Sequence, residues 1–118
     1  MRHRKKKVLI SRDKGHRTSL WRNLATNLIL YNRIRTTERK ASFAKPRIER
    51  LISIAKKKDK MNAIRYLNSR LYHEQASKKV IEVLVPRFKD RKGGYTRTIK
   101  LGRRVGDAAP TVIFEFVE

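Results

Sequence analysis

The chain has 118 residues and carries 32 Lys and Arg against 10 Asp and Glu, a formal net charge of +22 at neutral pH. That is far beyond the roughly 2–8 charges that keep a small domain soluble, and the self-repulsion opposes compaction until a polyanion relieves it. The absence of cysteine excludes disulfides, thiolate catalysis and cysteine-ligated zinc, and no apolar run approaches the ~20 residues of a membrane span.

The length suits one domain, which at this size buries roughly 65% of its unfolded surface. A hydrophobic fraction of 39%, below the globular average of about 45–50%, predicts a thin core with basic segments left outside it. Nucleic acid is the polyanion that best fits, because each neutralised phosphate releases condensed counterions. An anionic membrane would require an amphipathic helix with a wide apolar face or a lipidation signal, and neither is present. The basic start is followed by only Val8-Leu9-Ile10, too short for a signal-peptide core, so the chain reads as soluble and intracellular.

In chain order, residues 1–10 form a basic arm, predicted to stay disordered until bound; residues 11–118 form a single domain. Ser11 and Asp13 are candidate caps for a helix over about 12–32. Leu20, Leu24, Leu28 and Tyr31 mark its buried stripe, widened by Trp21 and Ala25. Arg33 to Thr37 reads as a brief strand ending in a helix cap at Thr37. Helix 38–58 carries Ala41, Ala44, Ile48, Leu51 and Ala55 on one face, with Pro46 predicted to kink or break it. Asp59 can cap a third helix over 60–71 that buries Ile64, Leu67 and Leu71. A fourth, 74–85, buries Ala76, Val80, Val83 and Leu84 and is closed by Pro86.

After Pro86 the character changes. Arg87 to Gly94 is a basic loop, Tyr95 to Leu101 a strand, and Thr111 to Val117 another with Val112, Phe114 and Phe116 on one face. The expectation is a two-layer α/β domain of the α+β type, about four helices on one face of a three-stranded sheet.

The charge is concentrated. Residues 1–17 hold eight cations (Arg2, Arg4, Lys5, Lys6, Lys7, Arg12, Lys14, Arg17) and one acid, Asp13. Residues 86–104 hold eight more (Arg87, Lys89, Arg91, Lys92, Arg97, Lys100, Arg103, Arg104) and one acid, Asp90. A solvated face would mix both signs, so both segments are candidate RNA contacts. His3, His16 and Arg22 lie beside the first as further donors. Gly93 and Gly94 would let the backbone approach phosphate closely, while arginine forks bind it bidentately. Arg97, Lys100, Arg103 and Arg104 are expected along one edge or face of the sheet. Tyr95 is either a base-stacking ring or a core tyrosine; Trp21 reads as core. The three histidines lack metal-ligand spacing, and the carboxylates are scattered singly, so neither a metal site nor acid–base catalysis is expected.

Four short elements occur in order: Met1-Arg2-His3-Arg4, Ile34-Arg35-Thr36-Thr37 followed by Lys40-Ala41, Gly93-Gly94-Tyr95-Thr96-Arg97, and Gly106-Asp107-Ala108-Ala109-Pro110. Together they resemble the bacterial-type ribosomal large-subunit protein family seventeen along essentially the whole chain. Two departures are Ser42, where the family commonly carries a basic residue, and Pro46, where many relatives have a helix former. The resemblance implies a non-enzymatic, cofactor-free protein on large-subunit ribosomal RNA, near the nascent-chain exit and beside neighbouring ribosomal proteins. Arg35, Thr36, Thr37 and Lys40 join the candidate RNA contacts through this resemblance. A cytoplasmic ribosome or an organellar one would accommodate it. The competing readings are a general nucleoid-type DNA/RNA binder and an RNA-modifying enzyme, the latter lacking any cofactor fingerprint or catalytic pair.

Overall fold

The computed structural model describes residues 10–117. Helix α1 (Lys14–Tyr31) begins at Asp13, whose side chain accepts the His16 backbone N–H at 3.0 Å, and ends at Asn32, in the left-handed region at φ 67°. Strand β1 (Arg33–Thr37) runs directly into α2 (Glu38–Lys57), capped by the Thr37 hydroxyl, which accepts the Lys40 N–H at 3.4 Å. Helix α3 (Lys60–Arg70) follows Asp59, whose carboxylate accepts the Asn62 side-chain amide at 2.6 Å instead of a backbone N–H.

The fourth helical stretch is composite. Helix α4 (Glu74–Lys79) passes through a π turn (Val80–Leu84) into a last α turn, α5 (Val85–Arg87). The π turn holds more residues than an α turn, which keeps Ala76, Val80, Leu84 and Phe88, each four apart, on the buried side. Val83, expected in the core, is thereby rotated outward and is 46% exposed. Pro86 does not end the helix: the turn continues to Arg87, and Phe88 closes it by donating its N–H to the Leu84 carbonyl at 3.0 Å. Nor does Pro46 break α2, which is continuous through it. The proline is solvent-exposed, so water can satisfy the carbonyl it leaves unbonded.

Strands β1, β2 (Thr96–Arg103) and β3 (Pro110–Phe116) form an antiparallel sheet in the order β1-β3-β2. Helix α2 packs against all three strands and α1 against β1 and β3, while α3 packs on α2, α4 on α1, and α3 and α4 on each other. One sheet face is therefore covered and the other open, an α+β arrangement. Val112, Phe114 and Phe116 all point into the core, as strand alternation requires. Within α1 the buried residues are Ala25, Thr26, Leu28 and Ile29, while Tyr31 is 69% exposed. The apolar face ends before Tyr31, because the chain reverses at Asn32 to enter the sheet.

Candidate nucleic-acid interface

Arg2, His3, Arg4, Lys5, Lys6 and Lys7 lie outside the described residues. At the start of α1, Arg12, Lys14 and His16 are exposed and Arg17 half-buried. Arg22 is half-buried, its guanidinium 5.8 Å from the Trp21 ring centroid. Trp21 packs against the core from a partly buried position. The Ile34–Thr37 element is largely structural. Thr36 pairs with Val112 and Thr37 caps α2, while Arg35 and Lys40 remain exposed.

The loop after α5 is held from inside. Phe88 and Tyr95 are each 1% exposed and pack with ring centroids 5.1 Å apart. The core reading of Tyr95 therefore holds and the base-stacking one does not: both faces of the ring are occupied by protein. Its hydroxyl receives hydrogen bonds from Lys56 Nζ at 3.1 Å and Ser53 at 3.5 Å. Burial pushes the phenol up, but those bonds and the lysine charge outweigh it, and the net shift is downward. Lys56 also donates to the Arg91 carbonyl. Lys56 lies in the last turn of α2, where only its spacing from Ile52 and Ala55 hints that it flanks the core. Arg91 turns back on its own loop, its Nε donating to the carbonyls of Gly93 and Gly94 at 3.1 Å each. Gly94 sits at φ +62°, a conformation that disfavours side chains. Arg87 donates to the Val117 carbonyl at 2.6 Å. Lys89 and Lys92 project from this frame, exposed and without a carboxylate partner among the described residues.

The sheet separates the remaining cations. Arg97 pairs with Glu115 and Lys100 with Val112, so they face opposite sides; the four expected cations share an edge strand and its hairpin, not one face. On the open face Glu115 sits between two arginines, 2.9 Å from Arg97 Nε and 3.6 Å from Arg33 Nε. Arg33 was absent from the sequence-based site, although the alternation of Arg33 and Arg35 places both on one side. An extra residue at Leu101 shifts the register between Lys100 and Gly102, where the glycine adopts φ +109°. Beyond it the hairpin tip carries Arg103, Arg104 and Val105, the last 99% exposed. Arg104 is ion-paired with Asp107.

The hydrogen bonds from Arg104, with the Ala109 N–H at 3.2 Å, hold the Asp107 carboxyl down at about 2 against an ordinary 3.8. The pair's contribution is present above the ordinary value and is lost as pH falls through about 2. Because both groups are exposed, the expected result is local: the Ala109 amide resonance shifts and its exchange quickens between pH 4 and pH 2, while core amides respond less.

Lys14, Arg17, Lys89, Lys92, Lys100 and Arg103 have no carboxylate partner among the described residues, and Glu115 and Asp107 hold only Arg33, Arg97 and Arg104. No three His, Cys, Asp or Glu are grouped to hold a metal among those residues. No helix there is long and apolar enough to cross a membrane. A cleft of about 430 Å³ between α3 and α4 mixes Lys60 and Lys78 with Glu74 and Glu82, an unfavourable lining for a polyanion.

A small α+β body with cations that lack carboxylate partners among the described residues defines a strongly basic class of protein. The family profile of "Ribosomal protein L17" matches residues 20–117. The chain is 46% identical to the large ribosomal subunit protein bL17 of Neorickettsia sennetsu, over 99% of this chain and all of that protein. It is 45% identical to the bL17 of Hydrogenobaculum sp. over the full length of both. To that of Roseobacter denitrificans it is 44% identical, over all of this chain and 84% of the relative. The chain belongs to the ribosomal protein L17 family, a family of structural components of the large ribosomal subunit.

Proposed function

We propose that the protein binds and stabilises folded large-subunit ribosomal RNA, near the nascent-chain exit region and against neighbouring large-subunit proteins. The observation that carries this reading is the set of cations without carboxylate partners among the described residues: exposed Lys14 and half-buried Arg17 on α1, and exposed Lys89 and Lys92 on the loop and Lys100 and Arg103 on the hairpin. The exit-region placement rests on family membership. The mechanism is electrostatic: phosphates are neutralised so that RNA helices pack closely, with shape and 2′-OH read more than base sequence. The protein carries out no catalysis, takes no cofactor or small-molecule substrate, and acts ribosome-bound in the cytoplasm without contacting a membrane.

If about 8 phosphates are neutralised, log affinity for an rRNA transcript should fall with log salt at a slope of about −6 to −7. A filter-binding series over salt concentration measures it, and a nearly flat dependence would refute the mechanism. Equal affinity for duplex DNA in competition would favour the nucleoid-type reading instead. On a high-salt sucrose gradient the protein is expected to co-migrate with the large subunit.

A further inference from the structure

We propose that the groove between the first turns of α1 and the middle of α2 seats one phosphodiester group of the bound RNA; this rests on the rRNA-binding reading and adds a defined position to it. The groove encloses about 290 Å³ and is lined by Lys14, Arg17, Thr18, Trp21, Phe43 and Arg47. Three cations and two aromatic rings meet there with no acid in the lining. Asp13, the acid nearest in sequence, is occupied as the α1 cap by the His16 N–H at 3.0 Å. A helix face that merely meets water usually mixes signs, as the α3–α4 cleft does.

Arg47 is already in place. One of its Nη atoms donates to the Phe43 carbonyl at 2.7 Å, and its guanidinium carbon lies 4.0 Å from the Phe43 ring centroid. A guanidinium has five N–H donors in a rigid fork, so those left over serve an incoming anion with little further ordering. Lys14 and Arg17 have no ion-pair partner among the described residues. The Thr18 hydroxyl is engaged as a donor, to the Lys14 carbonyl at 3.0 Å. The buried Phe43 ring backs Arg47 and excludes water from one side, which strengthens the charge interaction, and the half-buried Trp21 offers an apolar wall to the adjoining sugar or base. A free phosphate would use the cations alone; a phosphodiester in a strand also uses the wall.

The chain has a single tryptophan, so its fluorescence reports on this groove in the unmodified protein. When the full chain is saturated with a large-subunit rRNA transcript, Trp21 emission should be quenched and its accessibility to acrylamide should fall at least about twofold. R17A and R47A should each weaken binding about five- to tenfold and flatten the log–log salt slope by about 0.7–0.9. R47K should recover only part of the loss, since lysine lacks the fork and the stacking surface. R50A, an exposed position on the same helix outside the groove, separates contact loss from damage to α2 and should retain the Trp21 protection. Wild-type rRNA affinity in both R17A and R47A, with Trp21 still accessible, would overturn the groove while leaving rRNA binding intact. Equal protection by millimolar inorganic phosphate would overturn the assignment to RNA, and protection only inside the assembled subunit would assign the groove to a protein neighbour. Failure of the wild-type chain to bind rRNA at all would overturn both readings.

Discussion

Exchanging Lys100 and Arg103 for Gln should lower affinity for large-subunit rRNA about a hundredfold at ~0.1 M salt, since a charge-assisted hydrogen bond contributes about 1.5–3 kcal/mol and 1.4 kcal/mol is tenfold. The salt slope should become shallower by about 1.4–1.8 for the two lost contacts. Both residues are exposed, and neither has a carboxylate partner among the described residues. Their neighbours supply the control. Arg97 is held by Glu115 at 2.9 Å, so R97Q/E115Q removes a cation and an acid together and leaves the net charge unchanged. That double variant should bind rRNA within a few-fold of wild type, even though the edge strand has again lost an arginine. Filter binding across a salt series compares the three proteins. Equal losses in the two double variants would mean that Arg97 meets the RNA despite its pairing with Glu115, and would overturn the reading of availability from the pairing on the sheet.

Replacing Phe88 by Ala should have the largest effect on stability. Phe88 is 1% exposed and packs on Tyr95 at 5.1 Å and Phe116 at 6.1 Å between ring centroids. Truncating a buried phenylalanine costs about 3–5 kcal/mol, a large part of the ~5–15 kcal/mol that holds a typical domain together. Urea denaturation measures the loss, and V83A is its counterpart. Hydrophobic patterning assigns Val83 to the core, yet it is 46% exposed, so its truncation should change stability by no more than about 0.5 kcal/mol. A loss of several kcal/mol in V83A would contradict the π turn that rotates it outward. Phe88 also starts the basic loop, so at concentrations where F88A remains folded, Lys89 and Lys92 should be less well positioned and rRNA affinity reduced.

Much of the architecture is legible in the sequence. Strand β1 was readable from its β-branched residues and the Thr37 cap, and α2 from the spacing of Ala41, Ala44, Ile48, Leu51 and Ala55, all of them buried. These are local signals: a cap is decided within four residues, and a helical stripe repeats every turn. The errors fell where local rules meet a distant partner. Pro46 read as a kink or break and Pro86 as a stop because a proline N–H is missing in any context, whereas α2 continues through the exposed Pro46 and the helical stretch continues past Pro86 to Arg87. Trp21 was readable as apolar, but its half-buried position beside Phe43 and Arg47 joins residues more than twenty apart in sequence.

By itself the sequence determined that this protein is strongly basic, because a net charge of +22 over 118 residues is a sum that no fold can alter. Together with ordered motifs, it also determined the family and the sequence of helices and strands. Only the tertiary structure decided which cations remain available. Glu115 reaches Arg97 and Arg33 across three strands, and Tyr95 turns its ring inward to Lys56 and Phe88. Those outcomes depend on sheet register and on distances between segments far apart in the chain, which composition and periodicity do not carry.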